Sequence, residues 1–255
     1  MNAHAPRPLP EPRPLPGLRN VALFLDLDGT LAAIEPRPED VGPEPWRTEL
    51  LQQLQSRLEG RLAVISGRTL DEVDRILDGA VTAVAAVHGL VRRMADGTLE
   101  QAPPADGLPE ARARLEALAA RHPALRIEDK SLSLAIHFRQ APELASEVRS
   151  EAEAIAADGG LRLQPGDMVA ELCTPGLDKG AAVRAFMHEA PFVDSVPVFI
   201  GDDLTDEDGF AAARALGGVS VLVGPLRATR ADMRLENVAA VRGWLEASLM
   251  QDAAS

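Results

Sequence analysis

The chain of 255 residues is poor in features that mark secreted and membrane proteins. It has one cysteine, which excludes an internal disulfide and fits a reducing compartment. No apolar run approaches the roughly 18 residues of a transmembrane helix, and no apolar stretch near the start resembles a signal peptide. These absences predict a cytoplasmic protein without a membrane partner.

Positive charge is also scarce. Lysine and arginine together number 26 against 39 aspartates and glutamates, so the formal net charge is -13. A chain of this charge without a basic patch is repelled by nucleic acids and by anionic membrane surfaces, so we expect no nucleic-acid partner. Only Lys130 and Lys179 are lysines, so a lysine at a special position is not simply the default cation of this chain.

The N-terminal segment is rich in proline. Six prolines occupy alternating positions from Pro6 to Pro16. Proline favours an extended, polyproline-like backbone, and the segment has too few apolar residues to build a core. We therefore predict a disordered tail over residues 1–18.

After this segment, short apolar runs alternate with stretches of helical periodicity, which is typical of βαβ units. Strands of a parallel sheet are buried on both faces and form continuous apolar runs; those predicted here are 21–25, 61–65, 81–87, 196–200 and 219–223. The helices predicted between and after them are 44–58, 69–77, 178–189, 205–215 and 238–249. The sequence thus predicts an α/β fold, with a Rossmann-like parallel-sheet core and helices on both faces, formed by residues 19–103 and 175–255.

A different pattern interrupts this core after the turn-rich stretch 101–107. Between 131 and 139 apolar and polar residues alternate strictly, as in a sheet with one face packed on helices and the other open. Helices are predicted at 109–121 and 142–157, and further strands at 161–164 and 168–173. We predict an inserted α+β cap domain over 104–174 and a cleft beside it, where binding sites tend to lie.

Two carboxylates follow the first predicted strand, in the stretch Asp26-Leu27-Asp28-Gly29-Thr30. Open α/β sheets bind ligands beyond the carboxyl ends of their strands, so Asp26 lies where a substrate would bind, and we place Thr30 among the substrate-binding residues. In phosphoryl transfer, Asp26 would attack phosphorus, while Asp28 would protonate the leaving oxygen and later take a proton from water. The alternative is an acidic turn, since Asp and Gly are ordinary turn residues.

A second acidic stretch, 201–208, follows the strand predicted at 196–200. Mg²⁺ prefers one or two carboxylates together with waters and a phosphate oxygen. We predict a magnesium site in which Asp202 and Asp203 join Asp26 and Asp28. The acids at 206–208 are explained as well by a helix that carries carboxylates in its first turn to suit the macrodipole.

Two further elements complete the candidate site. The stretch Ser66-Gly67-Arg68 offers a hydroxyl and backbone N–H groups at a strand-to-helix junction, which hold a phosphoryl oxygen well. Ser66 is equally explained as a helix N-cap. Lys179 is predicted at a helix start, where its ammonium would neutralise Asp26 and a transferring phosphoryl group. An exposed lysine is the alternative there.

The order of these elements along the chain is nucleophile, hydroxyl, lysine and metal carboxylates. This order resembles the haloacid-dehalogenase-type phosphatase superfamily over the whole core. In that superfamily, the roles just described belong to the counterparts of Asp26, Asp28, Ser66, Lys179 and Asp202.

A closer resemblance is to the trehalose-6-phosphate phosphatases. The stretches that carry it are 64–68, 88–89, 128–130, 134–139, Glu171 with 176–180, and 201–207. The resemblance implies that the insert is a cap and that His88 lies near the cleft. It also implies that sugar hydroxyls are bound by Glu128, Lys130, Arg139 and Glu171.

These observations predict a Mg²⁺-dependent phosphomonoesterase that hydrolyses trehalose 6-phosphate in trehalose biosynthesis, through an aspartyl-phosphate on Asp26. Its partner would be a small phosphorylated disaccharide, and we expect a monomer. Another capped sugar phosphatase, such as one acting on sucrose phosphate, would share the core and differ in cap residues. A non-enzymatic phosphoacceptor module of the receiver type also uses clustered aspartates and a lysine, but it needs one compact sheet domain and no cap.

Overall fold

The structure of the protein is a computed structural model that describes residues 8–15, 17–166 and 168–253. It forms two compact units. The first consists of Met1–Glu100 and Asp178–Ser255, and the second is the intervening stretch, Gln101–Leu177. The predicted insert lies inside this second unit.

Strands and helices alternate along most of the chain. In chain order the strands are β1 (Val21–Leu25), β2 (Leu62–Ile65), β3 (Ala83–Ala86), β4 (Val91–Arg93), β5 (Leu99–Gln101), β6 (Arg126–Asp129), β7 (Ser133–His137), β8 (Arg162–Gly166), β9 (Val169–Cys173), β10 (Val196–Gly201), β11 (Val219–Val223) and β12 (Met233–Leu235). The helices are α1 (Pro45–Arg57), α2 (Leu70–Leu77), α3 (Leu108–Arg121), α4 (Ala145–Gly159), α5 (Lys179–Met187), α6 (Asp206–Ala215) and α7 (Val238–Ala253). Across the described ranges, the helices are all too short or too polar to cross a membrane.

One large sheet organises the first unit. Within the described residues it has eight strands, in the order β12-β11-β10-β1-β2-β3-β4-β5. Adjacent strands are parallel in the part of the sheet that runs from β12 to β3, and β4 is antiparallel to β3. Because β10, β1 and β2 are parallel neighbours, their carboxyl ends meet at the same end of the sheet. The predicted α/β fold with a parallel-sheet core is confirmed.

Both faces of this sheet are buried. Ala22 and Phe24 of β1 pack on one face with Val183 and Phe186 of α5 and with Phe210 of α6. The alternate residues of β1 point to the opposite face and are buried as well. Parallel strands need crossover connections, which place helices on both faces of the sheet.

The described residues of the second unit include a four-stranded antiparallel sheet, in the order β6-β7-β9-β8. Its apolar face packs on α3 and α4, through residues such as Leu115 and Ile155 of the helices and Leu134 and Ile136 of β7. Leu134, Ile136 and Phe138 share the face packed on the helices, as the alternation predicts. Ser133 and Ala135 of the opposite face are buried as well, so the prediction of an open face is wrong along this part of β7. The opposite face carries polar side chains.

The sequence pattern does not predict the short strands β4, β5, β6 and β12, which have three or four residues each. The strand predicted over 81–87 is also shorter than expected. Val87 and His88 have φ angles of 48° and 57°, in the left-handed region, and begin a single 3-10 turn. The chain therefore leaves the sheet at Ala86.

The N-terminal segment differs from the predicted disordered tail wherever it is described. The carbonyl oxygen of Pro10 accepts a hydrogen bond of 2.9 Å from the N–H of Arg234 in β12. Further bonds of 2.9–3.0 Å join the backbone of residues 13–18 to three side chains of α7, which are Trp244, Ser248 and Asp252. Partner groups on β12 and α7 therefore order this stretch despite its composition. Residues 1–7 and 16 of the predicted tail lie outside the described residues.

Candidate active site

The carboxyl end of the parallel sheet gathers several predicted site residues. Asp26 directly follows β1, and its N–H donates to the carbonyl oxygen of Ile200 in β10 at 2.9 Å. Ser66 follows β2 and Asp202 follows β10, and both of these strands are neighbours of β1. Lys179 is the first residue of α5.

Lys179 lies between two buried carboxylates. Its Nζ donates to Oδ1 of Asp26 and to Oδ1 of Asp206, both at 2.7 Å. The exposed side-chain fractions are 3% for Lys179, 6% for Asp26 and 0% for Asp206. Charges this deeply buried need close partners, so the ammonium holds both carboxylates in fixed orientations.

Asp26, Asp202 and Asp206 form an acidic cluster, in which one oxygen from each residue lies within 4.8 Å of the others. Gly29 makes room for it, since a Cβ at Gly29 would lie 2.0 Å from Oδ2 of Asp202. Gly29 also has a φ of +78°, which glycine adopts without strain. Any other residue at this position would displace Asp202.

Burial and mutual repulsion make the acidic cluster unfavourable without a cation. Desolvation, and then the charge of Asp206, raise the pKa of Asp26 well above its ordinary value and raise the pKa of Asp202 to about 7. Burial alone would lower the pKa of Lys179, but Asp206 and Asp26 raise it, so the ammonium stays charged. Oxygen donors with excess negative charge suit a hard divalent cation, and the residues present therefore fit Mg²⁺.

Asp28 lies outside the acidic cluster and is bound by Arg68. Nε and Nη2 of Arg68 donate to the two carboxylate oxygens at 2.7 Å each, which is a bidentate arrangement. Arg68 is buried and also donates to the carbonyl oxygen of Pro38 at 2.8 Å. The structure therefore joins two predicted site residues to each other, because the guanidinium fork matches the carboxylate of Asp28.

Asp203, another predicted magnesium ligand, also lies outside the cluster. Its Oδ1 accepts a hydrogen bond of 2.7 Å from the N–H of Leu204, while its own N–H donates to Oδ2 of Asp206 at 2.9 Å. The geometry thus brings Asp206 to the cluster in place of Asp28 and Asp203.

Ser66, Gly67 and His88 lie together beyond the end of β2. Oγ of Ser66 accepts a bond of 3.2 Å from the N–H of Arg68, and the carbonyl oxygen of Ser66 accepts one of 2.9 Å from the N–H of His88. A Cβ at Gly67 would lie 2.6 Å from Cε1 of His88, so the imidazole covers this glycine. The hydroxyl of Thr30 is fully buried, with no hydrogen-bond partner among the described residues.

The structure excludes one of the two interpretations of Ser66, that of a helix N-cap. The N-cap of α2 is Thr69, whose Oγ1 accepts a bond of 3.4 Å from the N–H of Glu72. The Glu72 carboxylate accepts in return from the N–H of Thr69 at 3.0 Å, which completes a capping box. Because Thr69 caps this helix, Ser66 is not its N-cap.

The polar face of the second unit carries three of the four residues assigned to sugar hydroxyls. Glu128 of β6 and Glu171 of β9 lie in one row across the sheet, on either side of Ala135. Nζ of Lys130 is 3.3 Å from Oε1 of Glu171 and 3.8 Å from Oε1 of Glu128. The hydroxyl of Ser133, which was not among the predicted site residues, donates to Oε1 of Glu171 at 2.5 Å.

Glu128 also contacts His137, with 2.9 Å between Oε2 and Nε2. Desolvation alone would raise the pKa of Glu128, but His137 and Lys130 lower it below its ordinary value, so this group is a carboxylate at neutral pH. Arg139, the fourth residue, lies two positions beyond β7 and is exposed. The face thus presents charged groups of both signs.

A family model described as trehalose-phosphatase matches residues 24–238, which is most of the chain. The chain belongs to the trehalose-phosphatase family. Its membership confirms the resemblance inferred from the sequence motifs, and it excludes the receiver-type phosphoacceptor module.

A relative and one solved structure agree with this trehalose-phosphatase assignment, and a second solved structure shares the fold. The trehalose-6-phosphate phosphatase of Escherichia coli (strain K12) is 41% identical over 231 residues, covering 88% of this chain and 85% of that protein. A crystal structure of a trehalose-6-phosphate phosphatase related protein has a TM-score of 0.76 at 26% identity, covering 92% of this chain and 99% of that one. A Bacteroides thetaiotaomicron phosphatase of the haloalkanoate superfamily shares the fold, with a TM-score of 0.62 at 18% identity over 91% of this chain and 95% of that one.

Asp206 is the residue of this trehalose-phosphatase core that sequence reasoning missed. It begins α6, where a carboxylate is equally expected for its interaction with the helix macrodipole. One signal was available in Gly201, which ends β10. A Cβ at Gly201 would lie 2.2 Å from Cγ of Asp206, so glycine leaves room there for a buried carboxylate.

Proposed function

We propose that the protein hydrolyses trehalose 6-phosphate to trehalose and phosphate, in trehalose biosynthesis, through an aspartyl-phosphate on Asp26. One observation carries the proposal. In a chain of the trehalose-phosphatase family, Asp26 lies buried at the carboxyl end of the central strand, 2.7 Å from the ammonium of Lys179. The family model and the relatives favour trehalose 6-phosphate over sucrose phosphate.

In the first step, a carboxylate oxygen of Asp26 attacks phosphorus. The bond from phosphorus to the sugar oxygen breaks as the bond to Asp26 forms, and the sugar oxygen takes a proton from Asp28. Lys179 donates to Oδ1 of Asp26 at 2.7 Å, which orients the carboxylate for the attack. Its charge also offsets the negative charge of the transferring group.

In the second step, water hydrolyses the aspartyl-phosphate. Asp28, now a carboxylate, takes a proton from the water whose oxygen bonds to phosphorus. The bond between phosphorus and Asp26 then breaks. Inorganic phosphate leaves, Asp26 is again a carboxylate, and Asp28 again carries the proton for the next cycle.

Arg68 connects substrate binding to the proton transfer by Asp28. Both oxygens of Asp28 accept bonds from Arg68, whereas proton donation needs an oxygen that faces the sugar. Phosphoryl oxygens compete well for a guanidinium fork, so the arriving substrate would draw Arg68 from Asp28. Beside Arg68, the phosphoryl group would meet the Ser66 hydroxyl, the backbone of Gly67 and the buried hydroxyl of Thr30.

We propose that Mg²⁺ is held by Asp26, Asp202 and Asp206. When bound, the ion offsets negative charge on the phosphoryl oxygens. Asp202, with a pKa of about 7, gives up its proton to act as a ligand, so the affinity for Mg²⁺ would rise with pH.

The second unit supplies groups that suit a sugar. A disaccharide offers many hydroxyls, and charged side chains bind hydroxyls by strong hydrogen bonds. Lys130 and Glu171 orient each other at 3.3 Å, with side chains that are each 9% exposed. We propose that these two residues, with Glu128, Arg139 and His88 of the first unit, recognise the sugar part of the substrate.

The experiment that tests the function measures phosphate release from a panel of phosphorylated sugars, with and without MgCl₂. We expect turnover of trehalose 6-phosphate in MgCl₂, loss of that turnover in excess EDTA, and slow turnover of sucrose 6-phosphate and glucose 6-phosphate. Faster turnover of sucrose 6-phosphate, or undiminished turnover in EDTA, would contradict the proposal.

The mechanism is tested separately by Asp26→Asn. The amide keeps the shape of the side chain but is not a nucleophile, so we expect turnover to disappear while the circular dichroism spectrum stays unchanged. Hydrolysis at the wild-type rate by this variant would overturn the aspartyl-phosphate mechanism. The cytoplasmic location and the monomeric state stay predictions.

A further inference from the structure

Arg227, in the loop between β11 and β12, binds the backbone that carries the acidic cluster. Its Nη2 donates to the carbonyl oxygens of Asp202 and Asp203, at 3.2 and 2.7 Å. Its Nη1 forms an ion pair with Glu207 in the first turn of α6. The exposed side-chain fractions are 25% for Arg227 and 18% for Glu207, so the pair is largely shielded from solvent.

These contacts fix the peptide groups on both sides of Asp203. The N–H of Asp203 donates to Oδ2 of Asp206 at 2.9 Å, and the carbonyl oxygen of Asp203 accepts from Arg227. Asp206 is itself held by Lys179 at 2.7 Å. A continuous set of hydrogen bonds therefore runs from Arg227 through the Asp203 backbone to the ammonium between the buried carboxylates.

The orientation of this backbone determines where the carboxylate of Asp202 points. The side chain of Asp202 has little room, because Gly29 lies directly against it. Rotation of the peptide group after Asp202 would therefore move its carboxylate away from Asp26 and Asp206. Groups that orient metal ligands through hydrogen bonds often matter almost as much as the ligands.

We propose that Arg227 is a positioning residue for the magnesium site, which acts by fixing the backbone of Asp202 and Asp203. The inference rests on the proposed function, because it concerns the same acidic cluster. Arg227 does not touch substrate in this role. It determines the affinity for Mg²⁺ and takes no part in the bond-making and bond-breaking steps.

The test is the substitution Arg227→Gln, with Arg214→Gln as the matched control. Arg214 lies in α6 and contacts the same loop, through the carbonyl oxygen of Arg230 at 2.9 Å and the carboxylate of Asp232 at 3.2 Å. Its substitution removes the same charge without a contact to Asp202. The unfolding temperature of each protein is measured against MgCl₂ concentration without substrate, which gives the dissociation constant for Mg²⁺. We expect this constant to rise about tenfold in Arg227→Gln and to stay at the wild-type value in the control.

Phosphate release separates positioning from a general loss of structure. At saturating MgCl₂, kcat of Arg227→Gln should return to within about twofold of the wild type, whereas a distorted core would lower kcat at every concentration. If Arg227→Gln does not fold, Arg227→Lys serves instead. Its single nitrogen cannot hold both carbonyl oxygens and Glu207 together, so an intermediate constant is expected.

The outcomes separate this inference from the function on which it rests. If MgCl₂ neither stabilises nor activates the wild type, the magnesium site itself fails, and the role of Arg227 with it. If the wild type responds and Arg227→Gln has the same dissociation constant, only the role of Arg227 is overturned.

Discussion

At the scale of single residues, the crowded carboxylates tie the stability of the protein to pH. The pKa of Asp202 is about 7 in the folded protein, against an ordinary value of 3.8. Between these pH values the folded state binds more protons than the unfolded chain. The stabilisation from this residue is therefore complete below pH 4 and is lost as pH rises through about 7.

This linkage predicts a difference between the wild type and Asp202→Asn. In EDTA, the unfolding temperature of the wild type should fall more steeply from pH 5 to pH 8, because the amide does not titrate. Mg²⁺ binds the deprotonated carboxylate, so MgCl₂ should restore the lost stability of the wild type at pH 8 and leave the variant unchanged. Scanning calorimetry at the two pH values measures both effects; parallel curves for the two proteins would refute the assignment.

Substitution of Glu171 tests the proposed sugar contact. Glu171→Gln keeps an acceptor for the Ser133 hydroxyl but removes the negative charge that Lys130 contacts. We expect kcat/KM for trehalose 6-phosphate to fall about tenfold or more, while hydrolysis of p-nitrophenyl phosphate, which has no sugar, stays near the wild-type rate.

The control for this substitution is Glu153→Gln, which removes the same charge from an exposed position on α4. It should leave both activities unchanged. An equal loss on both substrates in Glu171→Gln would indicate damage to the fold rather than loss of a sugar contact.

At the scale of elements, the turn after β1 limits what can occupy position 29. Gly29→Ala places a Cβ 2.0 Å from Oδ2 of Asp202, at a φ of +78°. Gly217 has the same φ of +78°, but the space around it is open to 4 Å. Both alanine variants should lose about 1–2 kcal/mol of stability through backbone strain.

Only Gly29→Ala should lose activity, by at least tenfold, because only its methyl group pushes Asp202 from the acidic cluster. Parallel measurements of unfolding temperature and phosphate release distinguish the two effects. Equal activity of the two variants would show that the turn does not position Asp202.

The elements differ in how well the sequence predicts them, and burial explains the difference. β1 is buried along its whole length, so its apolar run stands out from the flanking residues. β5 is three residues long and exposed at every position, so it has neither an apolar run nor an alternating pattern. α2 was predicted closely from its apolar spacing, although its N-cap is Thr69 and not Ser66.

Site residues could be predicted from the sequence where a carboxylate directly follows a buried strand. Asp26 and Asp202 satisfy that condition, and both lie in the acidic cluster. The spacing of residues along the sequence does not show that the carboxylate of Asp28 binds the guanidinium of Arg68, 40 positions away. It also does not show that Asp206 is buried, since a carboxylate in a first helical turn is usually exposed.

At the scale of the whole molecule, the N-terminal segment belongs to the folded core. Deleting residues 1–15 removes the bonds that Pro10, Arg13 and Leu15 make to β12 and α7. It leaves the N–H of Arg234 and Nε1 of Trp244 without these partners. With a net contribution of about 1 kcal/mol per hydrogen bond, we expect the unfolding temperature to fall by several degrees.

A shorter deletion, of residues 1–7, retains all of these bonds and is the control. Its unfolding temperature should exceed that of the longer deletion by several degrees, and kcat should be the same in the two deletions at temperatures where both are folded. Equal stability of the two deletions would show that residues 8–15 do not stabilise the core.

The two edge strands of the eight-stranded sheet, β12 and β5, determine how readily molecules pair edge to edge. The unpaired backbone groups of an edge strand can form hydrogen bonds with a strand of another molecule, which is a common route to aggregation. In β12, the N–H of Arg234 already donates to the carbonyl oxygen of Pro10. The other edge strand, β5, has only three residues, and the charged Glu100 is at its centre. Among the described residues, neither edge strand presents a long row of unpaired backbone groups, which limits edge-to-edge pairing between molecules.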